Sequence, residues 1–341
     1  MERLRRVAVV VLNWNGRRLL EQFMPSWVAF TPAEAELIIV DNGSSDDSVA
    51  YLQSHYPDVR CIAFDQNYGF ALGYNRAIEM LEHSVIVLLN SDVALTAGWL
   101  DEPLALLEHS SDISAVQPKI RAYRSPEMFE YAGAAGGYLD VYGYPFCRGR
   151  IFDTLEADRG QYDEVATDLL WASGACLIIR REAYLQAGGL DARFFAHQEE
   201  IDLCWRVVAR GGRIALAPHS IVYHVGGASL AAEHPRKTYL NFRNNLLMLY
   251  KNLPEARLEA VLRVRILLDC LALLVFLLRG QVRHARAVWQ AYRDYRTMRP
   301  DFEADRRENL AQTKVPNPEG IKTFSLLRRY YLSGQKHYSQ L

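Results

Sequence analysis

Short apolar runs separated by polar punctuation dominate the first hundred residues. Residues 7–12, 36–40 and 85–89 show little alternation between apolar and polar positions, which predicts strands buried on both faces of a parallel sheet. Leu19, Leu20, Phe23 and Trp27 recur at helical spacing and predict a helix over 17–30. Residues 59–64 predict another strand and 71–83 another helix, while Ser45 or Asp46 is placed to cap a helix through Tyr51 and Leu52. Strands alternating with helices mean βαβ units with right-handed crossovers. The strand ends carry the candidate chemistry: Asn13 and Asn15, then Asp41, then Asn67 and Gly69, then Asn90, Ser91 and Asp92. Ligands bind outside the carboxyl ends of parallel strands. Several such ends on one edge make a pocket, whereas each alone reads as turn or cap chemistry.

The pattern then loosens. Residues 99–109 predict a helix and 113–120 a strand; 121–168, rich in Gly, Tyr and Arg, predict a long loop region. Residues 171–180 read as a strand that begins through Gly174, and 181–187 as a short helix. Ile201, Cys204, Trp205 and Val208 recur at helical spacing, placing Glu199 and Glu200 at a helix N-terminus, where the dipole favours anions. Asp202 fits a support of that helix start or a partner for an arginine. Residues 213–217 predict a strand and 223–229, with His224, a loop.

Beyond Leu253-Pro254 long helices are expected. The apolar run 266–278 contains Asp269 and, at thirteen residues, falls short of the ~20 needed to cross a bilayer. Arginines flank it and Trp289, Tyr292 and Tyr295 follow. That composition fits a helix lying on anionic lipid through about 255–296, and equally a helix packed on the body of the protein or in a dimer seam. Charge supports a basic tail: residues 241–341 hold 18 Lys and Arg against 9 Asp and Glu, although the net charge of the chain is −1.

Composition excludes more than it assigns. Half the 341 residues are hydrophobic, as in a folded protein. Five scattered cysteines, with no CxxC, argue against a disulfide framework or zinc site and fit a cytoplasmic setting. The basic N-terminus is not followed by the apolar stretch and cleavage site of a signal peptide. Neither a GxGxxG nor a GxxxxGK[ST] motif is present, and nothing points to nucleic acid.

Seven motifs in order resemble family 2 glycosyltransferases, closest to the bacterial rhamnosyltransferase-like branch. They are Asn13-Trp14-Asn15-Gly16; Val40-Asp41-Asn42-Gly43-Ser44; Asn67-x-Gly69-Phe70; Leu88-Leu89-Asn90-Ser91-Asp92; Gly174-Ala175-x-Leu177-Ile178-x-Arg180-Arg181; Glu199 to Arg206; and His224-x-x-Gly227-x-Ser229. Residues 241–247 are a plausible extension. The resemblance implies an α/β GT-A fold: a Rossmann-like, mostly parallel sheet with a mixed C-terminal half. Residues 1–250 would form the transferase domain (1–120 for the nucleotide-sugar, 121–250 for the acceptor) and 251–341 a helical, basic extension. It also implies that Asp41 bonds the nucleotide base, that Asn13, Asn15, Asn67, Gly69, Asn90 and Ser91 line the donor pocket, and that Asp92 binds Mn2+ or Mg2+. The usual Asp-x-Asp begins here with Asn90, so His224 is the expected second metal ligand. Glu200 falls on the general base, with Glu199 the runner-up. Trp171 and Gly174 are candidate acceptor contacts, Trp171 reading equally as core.

The implied reaction moves a sugar from a dTDP- or UDP-linked donor to a glycan or lipid-linked acceptor in cell-surface polysaccharide synthesis. One metal carboxylate, one base and no second nucleophile imply inversion. Two other readings stand beside it. A non-catalytic nucleotide-sugar-binding protein would tolerate loss of Glu200. A sugar-1-phosphate nucleotidyltransferase would show a Gly-rich basic loop after the first strand, which Asn13-Trp14-Asn15-Gly16 is not.

Overall fold

A computed structural model describes residues 6–226 and 234–341. The first half is a run of βα units: β1 (Val7–Asn13), α1 (Arg17–Phe30), β2 (Ala35–Asp41), α2 (Ser48–His55), β3 (Arg60–Ala63), α3 (Gly69–Glu79) and β4 (Val85–Asn90). There follow β5 (Val93–Ala94), α4 (Asp101–His109), β6 (Ile113–Ala122) and β7 (Ser125–Phe129), then β8 (Gly137–Leu139), β9 (Pro145–Cys147), β10 (Arg150–Ile151) and β11 (Thr154–Leu155). β12 (Cys176–Arg180), α5 (Arg181–Gln186), α6 (Glu199–Ala209) and β13 (Arg213–His224) complete the strands. Four α-helices follow among the described residues: α7 (Pro235–Asn252), α8 (Glu255–Leu278), α9 (Val282–Met298) and α10 (Glu303–Gln312).

Among the described residues the central sheet has nine strands, ordered β3-β2-β1-β4-β12-β6-β13-β5 with β7 on β6. The expected α/β architecture with a parallel first half is present. β1, β2, β3 and β4 run parallel, and β12 enters antiparallel between β4 and β6. β4 shows why an unbroken apolar run was needed. Ile86 and Leu88 belong to one buried cluster, whereas Val85, Val87 and Leu89 belong to the cluster on the other face.

Four expectations are corrected. Residues 121–168 are not a loop: they hold β7 and a separate four-stranded sheet, β11-β10-β9-β8, whose strands of two or three residues are too short to show a period. The strand expected over 171–180 is confined to Cys176–Arg180. The strand expected at 213–217 continues to His224 across a register shift, which hid its second half. At α2 the N-cap position is Asp47, yet it is the Asp46 carboxylate that accepts the Ser48 N–H at 3.1 Å and also ties down the Arg17 N–H.

The C-terminal helices are joined to the body. Ile321 bridges to Leu139, the Leu326 N–H donates to Asp140, and Phe302 and Leu326 are buried. α8 is inside-out. Its buried positions include Arg265 and Asp269, each 1% exposed, while Leu267 and Leu278 are 71% and 79% exposed. The charges are satisfied inward: Asp269 accepts from the hydroxyls of Tyr144 and Tyr292, and Arg265 bonds the Tyr142 carbonyl and Asn245. Among the described residues no helix is long and apolar enough to cross a membrane.

Candidate active site

Register alone gathers the strand-end motifs. Asn13 is paired with Asp41 across β1 and β2, and Leu12 with Asn90 across β1 and β4, so all three motifs leave the same sheet edge. Gly43 lets two of these loops touch: its φ is +71°, and a Cβ there would lie 2.3 Å from the backbone of Gln66. Asn42 finishes the work, donating to Asn67 and the Gly69 carbonyl and accepting the Tyr68 N–H.

These loops form one wall of a cleft of about 2570 Å³. Asn15, Asn67, Gly69, Asn90, Ser91, Asp92, Trp171, Gly174, Glu199, Glu200 and His224 all line it. Asn13 and Asp41 do not reach its surface. Asp41 is 2% exposed, with one carboxylate oxygen on the Asn13 amide and the other on the Ser44 N–H. In this conformation the pair ties two loops together behind the wall. Trp14, by contrast, is 56% exposed at the cleft. Trp171 is buried in its floor, its indole N–H bonded to the Tyr138 carbonyl.

Asp92 and His224 meet although 131 residues separate them. β13 pairs antiparallel with β5, setting His224 opposite Val93, and the Val225 N–H bonds the Asp92 carbonyl. His224 Nε2 lies 3.0 Å from Asp92 Oδ1, and its Nδ1 lies 3.2 Å from Glu130 Oε2. Burial works against a charge on His224, but the two carboxylates outweigh it and push its pKa up to about 10. Glu130 is also fixed by the Ala132 N–H. It sits in the stretch read as loop, and nothing in its spacing marked it. Gly227 and Ser229 of the last motif lie outside the described residues.

The donor set fits a hard divalent cation. The Asp92 and His224 atoms stand 3.0 Å apart, an ion-pair separation, and a cation held by these two residues would have to displace the proton that the carboxylates keep on the imidazole. Glu130 lies 3.2 Å from the far ring nitrogen without a well-formed hydrogen bond to it, on the side from which a carboxylate orients a metal-binding histidine. No group of three or more His, Cys, Asp or Glu donors converges among the described residues, so phosphate oxygens and water would complete the shell.

Glu199 and Glu200 open α6 directly after a strained turn. Phe195, His197 and Gln198 have φ of +69°, +68° and +76°, unusual for residues with side chains. Asn244 of α7 holds this turn, its amide donating to the carbonyls of Phe194, Ala196 and His197 at 2.8–2.9 Å. Asn245 bonds the Gln198 side chain at 3.1 Å. Each glutamate has one buried carboxylate oxygen with no hydrogen-bond partner among the described residues. Burial raises both carboxyls above the ordinary value, Glu199 well above it with help from the charge of Glu200. Glu200 is the less buried of the two, and a methyl at Gly174 would rest in ordinary contact with it. Asp202 is structural: it is fully buried and bonds Arg206, Lys251 and Asn252.

The family model described as glycosyltransferase-like family 2 matches residues 5–239. The chain belongs to glycosyltransferase family 2. Among curated relatives, it is 27% identical over 257 residues to the N-acetylglucosaminyl-diphospho-decaprenol L-rhamnosyltransferase of Mycobacterium tuberculosis, covering 68% of this chain and 82% of that one. The fold of the transferase is that of solved GT-A enzymes. The mannosyltransferase PcManGT from Pyrobaculum calidifontis, in complex with GDP-Man and Mn2+, aligns with TM-score 0.53 and 15% identity over 91% of this chain and 87% of that one. GalNAc-T7 with UDP, GalNAc and Mn2+ aligns with TM-score 0.59 and 16% identity over 75% of this chain and 49% of that one.

Proposed function

We propose that this glycosyltransferase is inverting and metal-dependent, moving a sugar from a dTDP- or UDP-linked donor to a glycan or lipid-linked acceptor of cell-surface polysaccharide. The observation that carries the reading is one cleft holding the Asp92–His224 pair and the unpartnered carboxylates of Glu199 and Glu200. Asp92 and His224 would hold the cation, with Glu130 placed to orient the imidazole. A divalent cation bound there supplies neutralisation of the departing diphosphate. Asn15, Asn67, Gly69, Asn90 and Ser91 line the donor end, where Trp14 offers an exposed ring. Glu200 accepts the proton of the acceptor hydroxyl as its oxygen bonds the anomeric carbon and the bond to the diphosphate breaks. A carboxyl with raised pKa is better matched to that proton than an ordinary one.

The names of the similar proteins support this class: a diphospho-decaprenol-linked acceptor in one, Mn2+ with a nucleotide or nucleotide-sugar in the others. Residues 1–250 act as the transferase domain, and 251–341 as a helical extension tied to it. The apolar outer face of α8, with exposed Arg279, Arg283 and Arg286, serves peripheral contact with the cytoplasmic membrane face. The test is a calorimetric titration of UDP and dTDP with and without Mn2+, followed by turnover. Asp92→Ala should lose the Mn2+-dependent part of binding, and Glu200→Gln should keep binding and lose turnover. Metal-independent binding in the wild type, or full turnover in Glu200→Gln, would overturn the reading.

A further inference from the structure

The cleft is larger than its catalytic end needs. Small-ligand pockets run to about 1,000 Å³, and this one is about 2570 Å³. Its second arm is chemically different from the first. Leu268, Leu271, Val275 and Phe276 of α8 line one side, and Tyr331 and Leu332 line it too. Their spacing along α8 makes one continuous stripe. From Arg265 to Phe276 the helix contributes about 16 Å of wall. That stripe runs out onto the exposed apolar face of the same helix, so the cleft is polar at the carboxylates and apolar where it opens.

Arg150 stands where the two ends meet. Its guanidinium lies 4.1 Å from the Tyr131 ring centroid, next in sequence to Glu130 of the histidine cluster. Two residues on, Phe152 packs against Tyr330 and against Tyr331, the latter lining the apolar arm of the cleft. Arg150 is buried, lines the cleft and has an Nε without a hydrogen-bond partner. Its bonds among the described residues are a long one to the Phe152 carbonyl and one to Cys147 sulfur, with no ion pair. A buried cation in that state is costly unless an anion completes it.

Resting on the transferase reading, we propose that the apolar arm binds the hydrocarbon chain of a lipid-diphosphate-linked acceptor, with Arg150 on its diphosphate. The order along the cleft is then the order along such a molecule: sugar at Glu200, diphosphate at Arg150, chain against α8 and out to the bilayer. The exposed Arg279 at the end of α8, which also lines the cleft, faces the anionic lipid surface.

The test uses the full chain and three probes: farnesyl diphosphate, inorganic pyrophosphate and UDP with Mn2+. Wild type should bind farnesyl diphosphate at least about tenfold tighter than pyrophosphate, since a few buried methylenes suffice for that. Leu271→Gln with Val275→Gln should bring the two probes to within about twofold while leaving UDP binding unchanged. Arg150→Lys, which keeps the charge but loses the planar fork, should weaken both diphosphates and spare UDP. Equal affinity for the two probes in wild type, or a preference that survives the double substitution, overturns the proposal. So does loss of UDP binding alone in Arg150→Lys, which assigns the residue to the donor. A dimer in sedimentation that farnesyl diphosphate fails to dissociate assigns the apolar face to a second copy. Absence of UDP binding in wild type would instead defeat the transferase reading itself.

Discussion

Asn244 offers the sharpest test of how the carboxylates of Glu199 and Glu200, proposed above as the catalytic pair, are held. Its NH2 group donates to three carbonyls of the 194–197 turn, and its oxygen accepts from Arg243 Nε at 2.9 Å. Phe195, His197 and Gln198 each sit at positive φ, at a cost of about 1–3 kcal/mol apiece for residues other than glycine. The amide offsets that strain, and Glu199 begins α6 one residue later. Asn244→Ala removes two N–H donors shared among three carbonyls and the acceptor of the Arg243 Nε–H, a loss of about 2–4 kcal/mol at about 1 kcal/mol per bond. The strained turn then relaxes and Glu200 shifts with it. The expected result is a Tm lower by several degrees and a fall in kcat exceeding any rise in KM for the donor, because the donor end is built on other loops.

Asn244→Asp separates this account from simple packing. The side chain keeps its shape, but oxygen replaces nitrogen against the three carbonyls, so repulsion replaces donation. If donation matters, Asp is worse than Ala in both Tm and kcat. If Asn244 merely fills space, Asp resembles wild type in thermal melts and in turnover, and the reasoning fails.

Other outcomes follow from the same geometry. Because the folded carboxyls of Glu199 and Glu200 lie above their ordinary value of 4.5, the folded state binds protons more tightly and loses stability as pH rises from about 4.5 through the raised pKa. Glu200→Gln should therefore melt higher than wild type by a margin that widens with pH over that window; a constant margin would contradict it. Wild-type turnover should fall as pH drops through the same raised pKa, well before ordinary carboxylates protonate, in a pH–kcat profile. Asp202→Ala leaves Lys251 and Arg206 buried without their shared carboxylate and should cost about 3–5 kcal/mol in urea unfolding. Leu267→Glu with Leu278→Glu should abolish flotation with phosphatidylglycerol vesicles at unchanged circular dichroism. Point substitutions are the right tool, since truncation after 254 would also remove the buried Phe302 and Leu326.

The first half was legible because parallel βα units turn sequence order into spatial order. Once residues 7–12, 36–40 and 85–89 are strands, their ends share an edge, and Asn13, Asp41 and Asn90 have nowhere else to go. Which of them faces the cleft was not legible. Asp41 and Asn67 look alike as motif residues, yet loop hydrogen bonds turn one inward and leave the other exposed. Glu130 and Arg150 were missed because β7 to β11 are too short for a hydrophobic period to reveal which side chains point in. Asn244 and Asn245 fall within 241–247, an extension of the family resemblance to which no role attaches. Buried polar residues on α7 are informative only once their partners, the carbonyls of a strained turn, are known.

α8 was ambiguous for a deeper reason. A run of leucines interrupted by Asp269 is consistent with a core helix and with one on lipid, since both bury Leu. The partners decide. Tyr144, Tyr292 and Asn245 capture Asp269 and Arg265 on the inner side, and the helix must then turn Ile266, Leu267, Leu271, Leu274, Leu277 and Leu278 to the outside. Covering even half of each such side chain is worth about 1 kcal/mol, so the face forgoes roughly as much as the lower end of a domain's whole stability. Natural sequences rarely leave a patch of that kind unused. The charges inside the helix are what keep the leucines outside it, so neutralising both Arg265 and Asp269 should weaken the membrane contact proposed for that face as surely as changing a leucine on it.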